Sequence, residues 1–261
     1  MRFFILLFAV LTRSAVQAQH PLVGTWEMVS IKGIGAEGER FSYDTSQVRE
    51  IKIITPEHYM LMAYTVEGDS LVFNRCYAGS LQLDGNAYIE KPLLSSLPIF
   101  ENVKSNFFWK VDKDRFIQSG TFTRPDGKTV ILDEMVFQKV KTENKYDTNP
   151  AIGFWQLQST SYVNFDGTKG SHTNETRYHV ITPSHWMRIS HRDGKFQHAM
   201  GGSYTMKDGK TYPSIDFSST FTGPPGKIEA TDVVKGDKLH ASGMLDAGGT
   251  KLTWEDVFQR K

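Results

Sequence analysis

Tyr64, Arg75, Tyr77, Tyr88 and Glu90 supply the groups with which a protein orients a small molecule: hydroxyls, one guanidinium and one carboxylate. Met60, Met62 and Phe73 lie among them and would give the same wall an apolar lining. A buried Arg75 needs a carboxylate partner, because an unpaired internal charge costs several kcal/mol. Glu90 is the predicted partner. The second half of the chain carries six of the eight histidines, and His191 and His198 are its predicted ligand-binding pair. No His-x-His or His-Glu-x-x-His spacing occurs, so no metal site is predicted. No nucleophile elbow, phosphate loop or dinucleotide fingerprint occurs either, and no cofactor is predicted. Acid–base chemistry, if the chain performs any, would fall to Arg75, Tyr88, Glu90 or His58, and Glu90 with Glu134 is the carboxylate pair to test.

These residues must be positioned by strands. Helical periodicity is hard to find, whereas short alternating runs bounded by turn residues recur throughout. Asp84-Gly85, Asp126-Gly127, Asp193-Gly194 and Asp208-Gly209 read as hairpin turns, because glycine accepts positive φ cheaply. The turn at Asp193-Gly194 pairs Arg192 with Lys195 and Ile189 with His198. One face then carries Met187, Ile189, His191, Phe196, His198 and Met200, and as the more apolar face it is predicted to be interior. The other carries Trp186, Arg188, Ser190, Gln197 and Ala199, and His179 is predicted to face outward. Equivalent alternation in the first half turns Met60, Met62, Tyr64, Phe73, Arg75 and Tyr77 inward. The Asp84-Gly85 hairpin adds Tyr88, opposite Leu81, and Glu90, opposite Gly79.

The chain also repeats itself. Gly24-Thr25-Trp26 recurs as Gly153-Phe154-Trp155, and Ile54-Thr55-Pro56-Glu57-His58 as Ile181-Thr182-Pro183-Ser184-His185. Ala78-Gly79-Ser80 recurs as Gly201-Gly202-Ser203, and the Glu134–Gln138 segment as Glu255–Gln259. Order is kept, so two copies of one unit are expected: residues 21–140 and 150–261, joined by a polar linker, 141–149. Strands about ten residues apart, joined as hairpins, predict an all-β chain of two tandem antiparallel up-and-down β-barrels.

The Gly-x-Trp at each first strand, the meander of hairpins and the basic residue ending each last strand (Lys139, Arg260) resemble the lipocalin and calycin pattern. The longer ordered set is similar to lipocalin-like domains of unknown function in secreted bacterial proteins. The resemblance implies that each Trp plugs a barrel end beneath its basic side chain, with room for a small ligand. It implies no known reaction.

Charge and composition narrow the function further. Thirty basic and 29 acidic side chains in 261 residues leave no surplus to displace counterions from phosphates, so no nucleic-acid partner is predicted. The single Cys76 excludes an intramolecular disulfide and any cysteine-based metal site. Residues 1–18 read as a secretory signal peptide: Arg2, an apolar run from Phe3 to Leu11, then Ala15-Val16-Gln17-Ala18. The run is too short to cross a bilayer, so no membrane insertion is expected, and the mature protein is predicted to be periplasmic or extracellular. The first reading is an exported binder of a small, partly apolar ligand. The alternatives are a barrel enzyme acting on a small molecule or sugar, and a module that meets a protein or glycan with an outer face including Trp186.

Overall fold

A computed structural model describes residues 20–141, 148–220 and 227–261. The predicted signal peptide and most of the predicted linker lie outside the described residues. The first unit contains β1 (Gly24–Ile34), β2 (Arg40–Asp44), β3 (Val48–Ile54), β4 (His58–Glu67), β5 (Ser70–Asp84), β6 (Ala87–Ser95), β7 (Lys104–Asp112), β8 (Arg115–Thr123) and β9 (Thr129–Lys139). All pairings are antiparallel and join sequence neighbours, except that β1 also meets β3 and β9. The β1–β9 pairing closes an eight-stranded barrel, with β2 as a flap on β1.

The second unit repeats this plan. Its strands are β10 (Gly153–Val163), β11 (Lys169–Ser171), β12 (Glu175–Ile181), β13 (His185–Arg192), β14 (Lys195–Lys207), β15 (Lys210–Pro213), β16 (Phe217–Ser218), β17 (Lys227–Lys235), β18 (Lys238–Ala247) and β19 (Thr250–Arg260). Here β10–β19 closes the barrel, and β11 and β16 lie off the main path. Closure leaves no free edge in either barrel. The fold is therefore all-β, with two closed antiparallel barrels in tandem. Asp193 and Gly194 both have positive φ, 51° and 72°, the geometry a two-residue hairpin of right-handed twist demands.

Trp26 and Trp155 are fully buried. Each indole N–H donates to a main-chain oxygen just before its strand, Leu22 at 2.7 Å and Ala151 at 2.8 Å. Lys139 Nζ lies 5.4 Å from the Trp26 ring centre, and the Arg260 guanidinium 4.1 Å from that of Trp155. Barrel 1 is filled around Trp26 by Tyr59, Tyr88, Phe116 and Phe137, and barrel 2 around Trp155 by Trp186, Tyr204, Leu239 and Phe258.

A third apolar cluster joins the barrels. Ile51, Ile53, Met60, Met62, Tyr64, Cys76 and Ala78 of barrel 1 pack against Phe154, Tyr178, Val180, Met187, Ile189 and Ala199 of barrel 2. Phe73 stacks on Phe196 at 5.7 Å, His58 stacks on Phe154 at 4.4 Å, and the Thr25 and Thr182 hydroxyls meet at 3.1 Å. The outer faces of β3–β5 and β12–β14 are thus as dry as a core. This corrects the predicted orientation: Met60, Met62, Tyr64 and Phe73 face the other barrel, as do Met187, Ile189, His191 and Phe196.

One extra residue in each hairpin splits the predicted sets. Ala63 pairs with Arg75 but Tyr64 pairs with Phe73, so Asn74 is bulged out. Ser190 pairs with His198 but His191 pairs with Phe196, so Gln197 is bulged out. Beyond each bulge, Arg75, Tyr77, His198 and Met200 line cavities as predicted. Before it, alternation runs the other way, and Trp186, Arg188 and His179 line the barrel 2 cavity instead of facing outward. Tyr88 pairs with Leu83 and Glu90 with Leu81, a shift of two residues that preserves their inward direction.

Candidate functional site

Each barrel contains a cavity of ligand-holding size, about 660 Å³ in barrel 1 and about 480 Å³ in barrel 2. Their polar groups enter along β3 and β12. In β3, Val48, Glu50 and Lys52 alternate with Arg49, Ile51 and Ile53; in β12, Glu175, Arg177 and His179 alternate with Thr176, Tyr178 and Val180. The even series turns into the first cavity and the odd series into the second, while Ile51, Ile53, Tyr178 and Val180 meet across the interface.

In barrel 1, Lys52 is 1% exposed. Its ammonium lies 2.5 Å from Glu90 and donates to Gln118 Oε1 at 3.0 Å. The rings of Tyr88, Phe137, Tyr59 and Phe116 surround it with centroids 5.1, 5.5, 5.7 and 6.0 Å away. Ring faces are negative, so this cage favours the ammonium. Arg75 instead pairs with Glu50, at 2.7 Å, which corrects the predicted Arg75–Glu90 bridge. Burial raises the Glu50 carboxyl above its usual range, and Arg75 opposes that rise. Burial, then the neighbouring carboxylates Glu50 and Glu90, keep Tyr77 protonated. Glu134 sits on the outside of β9, bridged to Lys32 at 3.1 Å and well exposed, so Glu90 and Glu134 form no catalytic pair.

In barrel 2, Arg177 is held between Glu175 at 2.5 Å and Asp256 at 2.7 Å. Ser190 donates to Glu175 at 2.5 Å. Arg188 is only 4.0 Å from Asp256, beyond hydrogen-bond distance, and its Nε donates to His179 Nδ1 at a long 3.4 Å. Among the described residues, neither terminal nitrogen of Arg188 has a hydrogen-bond partner. Burial, then the like charge of Arg177, pull this guanidinium down to about 10. Burial, then Arg177 and Arg188, push His198 down to about 4; burial, then Arg188 and Arg177, also hold His179 well below the usual imidazole range. Both histidines are therefore neutral at pH 7. Asp232 accepts from Thr211 Oγ1 at 3.3 Å, and burial raises its carboxyl. Trp186 stacks on His179 at 5.9 Å with the Arg188 guanidinium 5.9 Å from its ring centre, and Ile181, Met200, Leu252 and Trp254 add apolar lining.

Of the seven predicted ligand-binding residues, Arg75, Tyr77 and Glu90 line the barrel 1 cavity, with Tyr88 buried beneath it against Lys52. His198 lines the barrel 2 cavity. Tyr64 and His191 lie on the interface side of their strands, so His191 and His198 are on opposite faces. Glu50, Lys52, Arg177, Arg188, Glu175 and Asp256 were not singled out in the sequence. A usable signal was present: a strand whose charged residues alternate with Ile, Val and Tyr has one polar and one apolar face, and the polar one can be the interior. His58 and His185 hold matching turn positions; the His58 ring stacks on Phe154, and His185 Nδ1 meets Ser184 Oγ at 2.7 Å. Among the described residues no cluster of His, Cys, Asp and Glu could hold a metal ion, and no helix is long and apolar enough to cross a membrane.

Fold and cavities together define a protein of two closed β-barrels, each with a largely apolar cavity of ligand size into which charged side chains project. No protein-family model matches the chain, and no curated protein matches it. Among solved structures, one similar over most of the chain is a protein of unknown function of the DUF3598 family from Nostoc punctiforme. It is 12% identical, covers 92% of this chain and 96% of its own, and has a TM-score of 0.27. Kievitone hydratase from Nectria haematococca is 9% identical, with 93% and 90% coverage and a TM-score of 0.24. Likeness at this level speaks to neither ligand nor activity.

Proposed function

We propose that this is an exported ligand-binding protein of two lipocalin-like units, 21–140 and 150–261, released by cleavage after Ala18. Its second barrel takes a small, partly apolar molecule whose acceptor end, a carboxylate or carbonyl, meets Arg188. The observation that carries this reading is a guanidinium facing a cavity, its two terminal nitrogens without an acceptor within hydrogen-bond distance among the described residues. A ligand's acceptor would supply the partner that the described residues do not. Trp186, Trp254, Met200 and Leu252 provide the apolar wall against which the remainder of that ligand packs. Neutral His179 and His198 add no competing charge. Their placement supports binding more directly than catalysis, since neither is poised near neutral pH to exchange protons.

The test is calorimetric titration of the mature chain with octanoate and octylamine. Octanoate is expected to bind and octylammonium, which has only donors, is not. Arg188→Leu is expected to weaken octanoate about tenfold to hundredfold, the worth of a hydrogen bond to a charged group. Equal affinity for the two amphiphiles, or octanoate binding unchanged in Arg188→Leu, would refute the assignment.

A further inference from the structure

We propose that the barrel 1 cavity is a second, separate binding site, which takes an uncharged, largely apolar molecule through a hydroxyl group donated to Glu50. Two ion pairs stand in the wall of this cavity, Lys52 with Glu90 and Arg75 with Glu50. Lys52 is held by Glu90, Gln118 and four ring faces. Arg75 is held by Glu50 Oε2 at 2.7 Å. Glu90 Oε1 has the Lys52 ammonium beside it, and the unpartnered Tyr59 and Tyr88 hydroxyls lie outside the cavity lining, whereas Glu50 Oε1 is buried in a side chain with no exposure and has neither a cation nor a hydrogen-bond partner of its own. Burying a carboxylate oxygen without a donor is costly. Its residue lines a cavity of about 660 Å³, large enough for a molecule that brings the missing donor.

Charge decides what kind of donor. Lys52 and Arg75 balance Glu90 and Glu50, so the charges around Glu50 are already matched. An ammonium ligand would add an uncompensated cation beside two buried ones, and a carboxylate ligand would meet two buried carboxylates. A neutral hydroxyl satisfies Glu50 Oε1 and leaves the balance intact. Leu61, Met28, Phe107 and Leu132 supply the apolar lining for the rest of the molecule.

The two repeats carry different side chains at equivalent cavity positions. Glu50 and Arg177 each stand four residues before the Ile-Thr-Pro turn, and Leu61 and Arg188 each stand three residues after the histidine that follows it. Barrel 1 places a carboxylate where barrel 2 places the paired Arg177, and an apolar Leu61 where barrel 2 places Arg188. The barrel 1 site stands on its own observations whatever barrel 2 binds.

The matched probes are 4-butylphenol and its methyl ether, 4-butylanisole, which differ in the donated hydrogen. Both are titrated calorimetrically into the mature wild-type chain and into Glu50→Gln. Wild type is expected to prefer the phenol about tenfold to hundredfold. Glu50→Gln is expected to cut that preference severalfold or more. Since Glu50→Gln strands Arg75, the double variant Glu50→Leu/Arg75→Leu replaces the pair with apolar side chains and is expected to bring the two probes to within about twofold. Equal affinities in wild type, no binding of either probe, or a phenol preference that survives the double variant would each overturn the proposal.

Discussion

Replacing Lys52 by methionine keeps the length of the side chain and removes its charge. The ammonium is 1% exposed and 2.5 Å from Glu90, whose side chain is 7% exposed. Without it the Glu90 carboxylate remains buried and loses its ion-pair partner. Breaking a buried pair from one side costs about 3–5 kcal/mol, and the upper half of that range is expected here. The reverse cut is milder. In Glu90→Gln the ammonium keeps Gln118 and four ring faces, and a desolvated cation–π contact is worth about 2 kcal/mol. Lys52→Met is therefore expected to cost about 1–2 kcal/mol more than Glu90→Gln. The double variant Lys52→Met/Glu90→Leu is expected to return to within about 1 kcal/mol of wild type, because neither charge is left alone. Urea unfolding followed by circular dichroism measures all three. Single variants that each cost less than about 1 kcal/mol, or a double variant as unstable as the sum of the singles, would refute the buried, caged pair.

Other parts of the structure give equally direct expectations. His198 is held at about 4 in the folded protein against an ordinary value of 6.5, so between these values only the unfolded chain takes up its proton. Stability is therefore expected to fall as pH drops from 6.5 to 4, by up to about 3 kcal/mol from this group, and His198→Leu is expected to flatten that slope in urea midpoints. Met62 is fully buried although it lies outside its own barrel, so Met62→Ala is expected to cost about 2–5 kcal/mol, against about 0.5 kcal/mol or less for half-exposed Leu93→Ala. Burial raises the Cys76 thiol, and no part of its side chain is exposed. Its labelling by an aromatic disulfide is expected to keep pace with unfolding; rapid labelling of the native chain would contradict that placement.

The barrels were legible in the sequence because their causes are local and repeated. Positive-φ glycines fix the hairpins, period-two runs fix the strands, and the recurrence of Gly-x-Trp and Ile-Thr-Pro fixes two copies. The direction of the side chains was legible only where a turn set it without interruption, as at Tyr88 and Glu90. Two features hid the rest. A bulge at Asn74 or Gln197 inserts one residue and exchanges the faces of everything beyond it, and no residue type announces a bulge. The rule that the apolar face is the interior also assumes that the other face meets water. On β3–β5 and β12–β14 the other face meets a second barrel, so Met60, Met62, Met187 and Ile189 are buried outside while Glu50, Lys52 and Arg177 are buried inside and Arg188 turns toward the cavity. A long-range contact decided the pattern, and alternation carries no trace of it.

The central claim is that the barrel 2 cavity holds a passenger by its acceptor end. Native mass spectrometry of the mature protein purified from its own host, followed by denaturation, tests it most directly. A discrete small molecule bearing a carboxylate or carbonyl, present in wild type and lost in Arg188→Leu while the chain stays folded by circular dichroism, is the expected result. An empty chain in repeated preparations, or the same passenger retained by Arg188→Leu, would contradict the claim.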